Sequence, residues 1–575
     1  MRKPFVFFLL LGGTFLGAAL FAEFLGLDKD PGWGRGRIAL LVFGIVNIGI
    51  AYYYYSNRFR LLVRRIPLFN SATVQPQNDS LSGNRIRQYW FLVPSLLIVF
   101  FFYTWFVSSG RWNNWKSPTY YYAALAQAFL EGNLHLPIQP DPRLLALDNP
   151  YDPSERTGIE TRVDLTLYND KFYMYWGPVP AIIPAAIYIS TGRQMGDMAL
   201  TLVFACGIFL MQSLVLFTVW DRYFRTIPAW TLYITVLVCG LTGPIALLRH
   251  NYDNARIYEA SIAGGQFFLL AGICMALTAL MKPSIPAGRL LVAGILWSLA
   301  IGSRQILAVP IGFMVILIAW LLLKTNMNGV TKTWKYISLG TPFALGIAGL
   351  SWYNWARFGS ITQTGLYYQL ADLNVQEHYG ELFSLSYLTQ NLYNYLFNRI
   401  DFLPKFPFVF LLKGVEKPIA PLYAVSEFYN AQPIAGMFYI FPFAIFGAIA
   451  LITVFRNLFK DGQPGESSSH DNQKTLAWVL LAIGGSSVIS FILLTTYFWV
   501  GMRFLGDFLP GSAIFSSIGF WQGYRFLEQK PLTKNIYILS GVILAGASIA
   551  TSTLLAISTN SRLVNFLTRV FPALR

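Results

Sequence analysis

The chain is poor in the side chains that soluble enzymes use. Only 12% of its 575 residues are charged, three are cysteine and four are histidine. Cys206, Cys239 and Cys274 each lie inside an apolar run, with no CxxC pair among them. That spacing excludes a disulfide framework and a thiolate metal centre, and leaves three small hydrophobes. His135, His250 and His378 show no metal-ligand spacing and read as outer-surface residues. No glycine-rich phosphate loop is present, so nucleotide chemistry is not indicated. Acidic residues number 27 against 43 basic, a net charge of +16. In a chain this apolar, that excess belongs to membrane topology and not to nucleic-acid binding.

What is abundant is apolar surface: 55% hydrophobic and 17% aromatic residues, with a mean hydropathy of +0.48. Apolar runs of about 20 residues, the length that crosses a bilayer, recur along most of the chain. They predict an all-α polytopic membrane protein with about 13 transmembrane helices. The spans are 5–26, 38–56, 89–108, 198–219, 228–248, 260–281, 290–303, 305–323, 336–354, 436–456, 475–497, 506–523 and 535–557. The first run reads as an anchor or first span, since no convincing cleavage site follows it. The run 178–190, PVPAIIPAAIYIS, is short and carries three prolines. It reads as a re-entrant or interfacial helix.

With the N-terminus cytoplasmic and 178–190 not crossing, the short inner segments hold 21 of the 43 basic residues and 6 acids. The outer side then holds 22 basic and 21 acidic residues over longer loops. This is the positive-inside bias. Two long extracytoplasmic loops result, 109–197 and 355–435. The C-terminal tail, with Arg562, Arg569 and Arg575, reads as an amphipathic surface helix.

Residues 109–175 hold eight of the 27 acidic residues. Apolar spacing in YYYAALAQAFLE, followed by Gly132-Asn133, predicts an interfacial helix. RVDLTLY and KFYMYW, separated by Asn169-Asp170, predict a hairpin with Asp164, Thr166 and Tyr168 on its polar face. Ionisable residues near membrane depth are costly and therefore suspect as functional. At the outer span ends these are Arg256, Arg304, Arg357 and Arg503, with Asp164, Asp152, Asp253, Glu259 and Asp507. An internal pair of Arg503 with Asp507, or of Arg256 with Glu259, is the structural alternative.

An outer loop of two surface helices followed by the basic inner turn DRYFR resembles the GT-C superfamily of membrane glycosyltransferases. So do ALAQAFLEGNLHLP, DLTLYNDKFYMYWGPVPA, ARIYEASIAGGQFFLLAG, GILWSLAIGSRQ, YNWARFGS and RFLGDFLP. The resemblance covers roughly 89–523, the transmembrane core with both outer loops. Residues 1–88 look like an addition of two spans and a basic cytoplasmic loop, and 524–575 hold the last span and the tail. The resemblance implies transfer of a hexosyl or pentosyl group from a polyprenyl-phosphate donor to a glycan, lipid or protein on the outer face of the plasma membrane. No cofactor is implied beyond the lipid-linked donor, and the sequence leaves a divalent metal open.

Many members carry an Asp-Glu pair before the first surface helix, where Asp acts as base. This chain has Lys116-Ser117-Pro118-Thr119 there. Asp164 is then the first candidate base, with Asp152 and Glu259 next. Arg304, Arg256, Arg503, Asp507, Tyr258 and Arg357 are the candidate substrate-binding residues. The missing pair also keeps open a non-catalytic or transport protein for lipid-linked glycans on the same scaffold.

Overall fold

The computed structural model describes residues 3–20, 37–48, 92–112, 117–159, 161–162, 164–248, 256–417, 426–459 and 467–572. The predicted cytoplasmic loop 57–88, and His250 and Asp253, lie outside the described residues. The chain divides into two compact units, Met1–Trp115 with Arg225–Tyr233, and Lys116–Phe224 with Ile234–Arg575. In the first, the helices Lys3–Leu20 and Arg37–Ile48 cross closely at glycines. A Cβ on Gly12 would sit 3.0 Å from the Gly44 carbonyl. Small residues allow that approach between membrane helices.

Among the described residues six helices are long and apolar enough to cross a bilayer: Asp197–Tyr223, Trp230–Leu248, Ile257–Leu280, Gln305–Leu323, Thr475–Thr495 and Pro531–Ser558. Shorter apolar helices include Leu92–Val107, Ala287–Ser303 and Pro442–Arg456. The chain is thus a helical, multi-pass membrane protein. The predicted span 336–354 falls inside the longer, more polar helix Gly329–Phe358. The segment 178–190 forms a short 3-10 turn and the helix Ile182–Thr191, ten residues ending at a left-handed Gly192. Ten residues give about 15 Å of helix, half the hydrocarbon thickness.

The long loops of the second unit are ordered by polar side chains reaching across the chain. Asp197, at the head of Asp197–Tyr223, accepts from the backbone N–H of Tyr121 at 3.0 Å and of Tyr122 at 3.1 Å. It therefore caps the first surface helix, Tyr121–Leu130, from 75 residues away. In return Ser117 Oγ accepts from the Met198 N–H at 3.1 Å. Capping carboxylates satisfy the orphan donors of a helix start.

The predicted hairpin is present but shorter, Thr166–Tyr168 against Lys171–Tyr173. Asn169 and Asp170 both take positive φ, 48° and 58°, as a two-residue primed turn demands. It has no polar face: Leu165, Thr166 and Leu167 are all buried. The second long loop covers it. Leu370 N–H donates to the Leu165 carbonyl at 2.9 Å, and Thr166 Oγ1 donates to the Gly365 carbonyl at 3.1 Å. Asp164 consequently lies before the strand, not on it.

In the second loop the helix Leu388–Phe397 carries a buried asparagine row. Asn391 Nδ2 donates to the carbonyls of Thr495 at 3.0 Å and Tyr497 at 2.8 Å, and its Oδ1 accepts from Tyr429 Oη at 2.8 Å. Asn394 holds Val415 through both its amide atoms. Asn398 Nδ2 donates to the Ile434 carbonyl at 2.7 Å. Asn391 and Asn394, three apart on the helix, and Asn398, just past its end, satisfy the carbonyls of irregular backbone.

Candidate functional site

The site begins at a break between two membrane helices. Arg304 ends Ala287–Ser303 in extended backbone, φ −144°, and a 3-10 turn Gln305–Leu307 follows. Helix Ile257–Leu280 holds this break. Ser261 Oγ donates to the Ser303 carbonyl at 2.7 Å, and a Cβ on Gly265 would meet Arg304 Cβ at 2.7 Å. The next residue, Gln266, donates to the Asp507 carbonyl at 2.8 Å. One helix face therefore fixes two backbone turns more than 200 residues apart.

Across that junction Arg304 and Asp507 form a two-point pair, Nε to Oδ1 at 3.2 Å and Nη2 to Oδ2 at 2.7 Å. Asp507 is fully buried and the arginine is one-fifth exposed. The i, i+4 alternative, Arg503 with Asp507, is not formed. Met502–Asp507 is a 3-10 segment, and at three residues per turn positions four apart do not share a face.

Arg503 stands instead over aromatic rings, its guanidinium carbon 4.2 Å from the Tyr258 centroid and 5.1 Å from that of Phe504. Tyr258 also meets Trp176 edge to face at 5.3 Å. Arg503 makes no ion pair among the described residues, and its buried Nε has no hydrogen-bond partner. Its positive charge is felt by both Asp164 and Glu259.

Asp164 is half-buried in left-handed backbone, φ 68°. Aspartate tolerates that region better than most residues. Its Oδ1 accepts from Gln369 Nε2 at 2.6 Å, and its N–H donates to the Leu370 carbonyl at 2.9 Å. Burial pushes its carboxyl up to about 6, against the opposing pull of Arg503, the Gln369 bond and Arg256. A carboxyl titrating there is ionised at neutral pH yet basic enough to take a proton. Tyr175 and Tyr497 complete the ring. Burial raises both hydroxyls, and each lies in the field of Asp164, Arg304 and Arg503. They stay protonated donors.

The arrangement thus brings Asp164, Glu259, Asp507, Arg256, Arg304, Arg503 and Tyr258 into one electrostatically connected region. Glu259 spends its carboxylate on the helix start, accepting from the Arg256 N–H at 2.9 Å, so the expected Arg256–Glu259 side-chain pair is replaced by a capping box.

Two candidates stand apart. Asp152 caps its own turn, accepting from Ser154 N–H at 2.8 Å and Ser154 Oγ at 2.7 Å, and those bonds lower its carboxyl. Arg357 is buried among Tyr353 and Phe358 and donates to the carbonyls of Met174 at 2.5 Å and Tyr353 at 3.2 Å. It anchors the hairpin strand to the helix end and has no open side. Gln369, Tyr175 and Tyr497 were not singled out from sequence. The alternation of KFYMYW marks Tyr175 only weakly, and nothing local marks the other two. Among the described residues no three histidine, cysteine or acidic side chains assemble as a metal site.

No protein-family model and no curated protein matches the chain. Solved structures similar to it include the Archaeoglobus fulgidus oligosaccharyltransferase in the apo form, at 14% identity and a TM-score of 0.45. That likeness covers 83% of this chain and 56% of the archaeal one. A second is the archaeal oligosaccharyltransferase AglB from Archaeoglobus fulgidus in complex with an inhibitory peptide and a dolichol-phosphate, at 13% identity and 0.40, covering 82% and 56%. A third is ArnT from Cupriavidus metallidurans bound to undecaprenyl phosphate, at 10% identity and 0.34, covering 86% and 79%. The chain spans just over half the length of the two archaeal enzymes.

Proposed function

We propose that the protein is a membrane glycosyltransferase that moves a hexosyl or pentosyl group from a polyprenyl-phosphate carrier to an acceptor on the extracytoplasmic face of the plasma membrane. The feature that carries this is Asp164 lying in the field of Arg503, whose guanidinium makes no ion pair among the described residues and shares the Phe504 ring with Arg304 of the Arg304–Asp507 pair. In the reaction the acceptor oxygen bonds to the anomeric carbon as the carbon–oxygen bond to phosphate breaks. The acceptor proton goes to Asp164, and the leaving phosphate takes the bonding pair and its charge. Asp164 is the base. Arg503, with Arg256 near it, meets the phosphate, since a guanidinium fork suits that group and electrostatic stabilisation acts where charge develops. Arg304 is a positioning residue: its fork is filled by Asp507. That revises the expectation that Arg304 itself binds the donor. Tyr258 holds Arg503 through its ring face.

The purified chain in proteoliposomes, given polyprenyl-phosphate hexoses or pentoses with membrane-lipid or glycan acceptors, should release polyprenyl phosphate. Asp164→Asn keeps shape and backbone preference while removing the charge. Release by that variant at the wild-type rate would show that Asp164 is not the base. The rival reading, a carrier of lipid-linked glycans, draws on the missing Asp-Glu pair, where Lys116-Ser117-Pro118-Thr119 stands instead. Movement of a labelled lipid-linked sugar across the vesicle without transfer would favour it.

A further inference from the structure

A three-stranded sheet in the second outer loop ends in a strongly apolar tip. Strands Ile400–Phe402 and Val409–Lys413 are antiparallel, and the second also pairs with Pro433–Ile434, Leu412 opposite Ile434 and Lys413 opposite Pro433. The connection reads Leu403-Pro404-Lys405-Phe406-Pro407-Phe408. Phe402 is 68% exposed and Phe408 43%, with Leu403 and Lys405 also outside. An aromatic tip left in water is a large apolar exposure, and such patches mark contact surfaces.

The sheet's register shows where the tip lies. After Ile434 the chain runs through Gly436 and the turn Met437–Ile440 into the apolar helix Pro442–Arg456. Because Val409–Lys413 is antiparallel to Pro433–Ile434, its Val409 end lies on the side toward which that helix departs. The tip therefore lies at the end of the sheet from which the chain leaves for that apolar helix. Two further contacts hold the sheet there. The strand Val409–Lys413 packs on the spanning helix Pro531–Ser558, and Ser552 Oγ of that helix donates to the Ile440 carbonyl at 2.8 Å.

Further apolar exposure lies on the segments that flank the sheet. Phe397 stacks on Phe438 at 5.5 Å, both exposed. Beyond them Tyr439, Ile445, Leu451, Ile452 and Phe455 form the outward stripe of the membrane-entering segment. The tip adds to a lipid-facing surface that the helix needs in any case. Lys405 and Arg399 flank it with positive charge, the pattern of segments that sit in anionic headgroups.

We infer that Phe402–Phe408 is a wedge inserted into the outer leaflet, its occupant an anionic lipid surface. The inference does not depend on the glycosyl-transfer reading.

The full chain, with Cys206, Cys239 and Cys274 replaced by alanine, would carry a single NBD-labelled cysteine at Phe402→Cys or Phe408→Cys. Glu377→Cys, exposed on the same loop, is the reference. In proteoliposomes of phosphatidylglycerol and phosphatidylethanolamine, labels at 402 and 408 should emit to the blue of the label at 377. Shallow doxyl lipids should quench them several-fold more, and iodide several-fold less. Equal iodide quenching at all three sites would overturn the wedge. A blue shift without doxyl quenching would assign the tip to protein contact, such as a second copy, and would overturn it too.

Discussion

At the scale of single residues, the site's behaviour is set by how Asp164 and Arg304 are occupied. Asp164→Asn should lower transfer by about 10²–10⁴-fold, the usual loss for a positioned base, read as initial rates in proteoliposomes. With wild-type protein the rate should climb with pH and level off, with a midpoint near the value of about 6 to which burial raises Asp164. Arg503 favours the charged carboxylate, so Arg503→Gln should move that limb to higher pH while lowering the plateau. A limb unmoved by Arg503→Gln would separate the two groups. The stability sign is the reverse. A carboxyl whose folded value lies above its ordinary 3.8 binds protons more tightly when folded, so it costs stability as pH rises through about 6. Arg304 carries a different expectation. Arg304→Met leaves Asp507 buried without its cation, a loss of roughly 3–5 kcal/mol. The double variant Arg304→Met with Asp507→Leu removes both charges and should melt above Arg304→Met alone, by thermal unfolding in detergent. Equal melting of the two would show the pair is not coupled.

At the scale of elements, the helical, multi-pass character was legible in the sequence, six of about 13 expected spans having spanning length among the described residues, and the loops only partly. Apolar length alone locates Asp197–Tyr223, Ile257–Leu280 and Pro531–Ser558, because a bilayer imposes one length on every span. The turn Asn169-Asp170 and the short helix Ile182–Thr191 were equally plain, since turn chemistry and proline act locally. The polar face assigned to the hairpin was not there. Alternation foretells one covered face, and here Gly365–Leu370 of the other loop covers the Thr166 and Tyr168 side as well. Asp164, Glu259, Arg256 and Arg503 could be picked out as charges beside apolar runs. Their pairings could not: Gln369 lies 205 residues from Asp164, and Asp507, itself a candidate, lies 203 from Arg304. Pairings of that separation leave no periodic trace. The asparagine row is of the same kind. Asn391→Leu would strip a donor from the carbonyls of Thr495 and Tyr497 and an acceptor from Tyr429. Each buried group left unsatisfied costs about 1–3 kcal/mol. That variant should show faster limited proteolysis between 385 and 435, and a transfer rate lowered through the displaced Tyr497. Unchanged cleavage would deny the row its role.

At the scale of the whole molecule, topology is the expectation with the widest reach. Charge asymmetry puts 109–197 outside and the turn at Lys282 inside. In a cysteine-free background, Pro150→Cys should react with an impermeant maleimide on intact cells, and Lys282→Cys only after permeabilisation. The opposite pattern would invert every outer-face assignment made above. The long-range bonds around Asp164 have a further consequence, for how the protein comes into being. Synthesis runs from the N-terminus, so Asp164 leaves the ribosome well before Gln369, Arg503 or Asp507 exist. Gln369 can supply the amide clasp once the second long loop is made, but the cation Arg503 is added only just before the helix Leu509–Phe526. A nascent chain that ends before Arg503 therefore lacks the cation beside Asp164, whatever part of the membrane it already occupies. On the proposed reading, activity would be switched on by the chain's own completion.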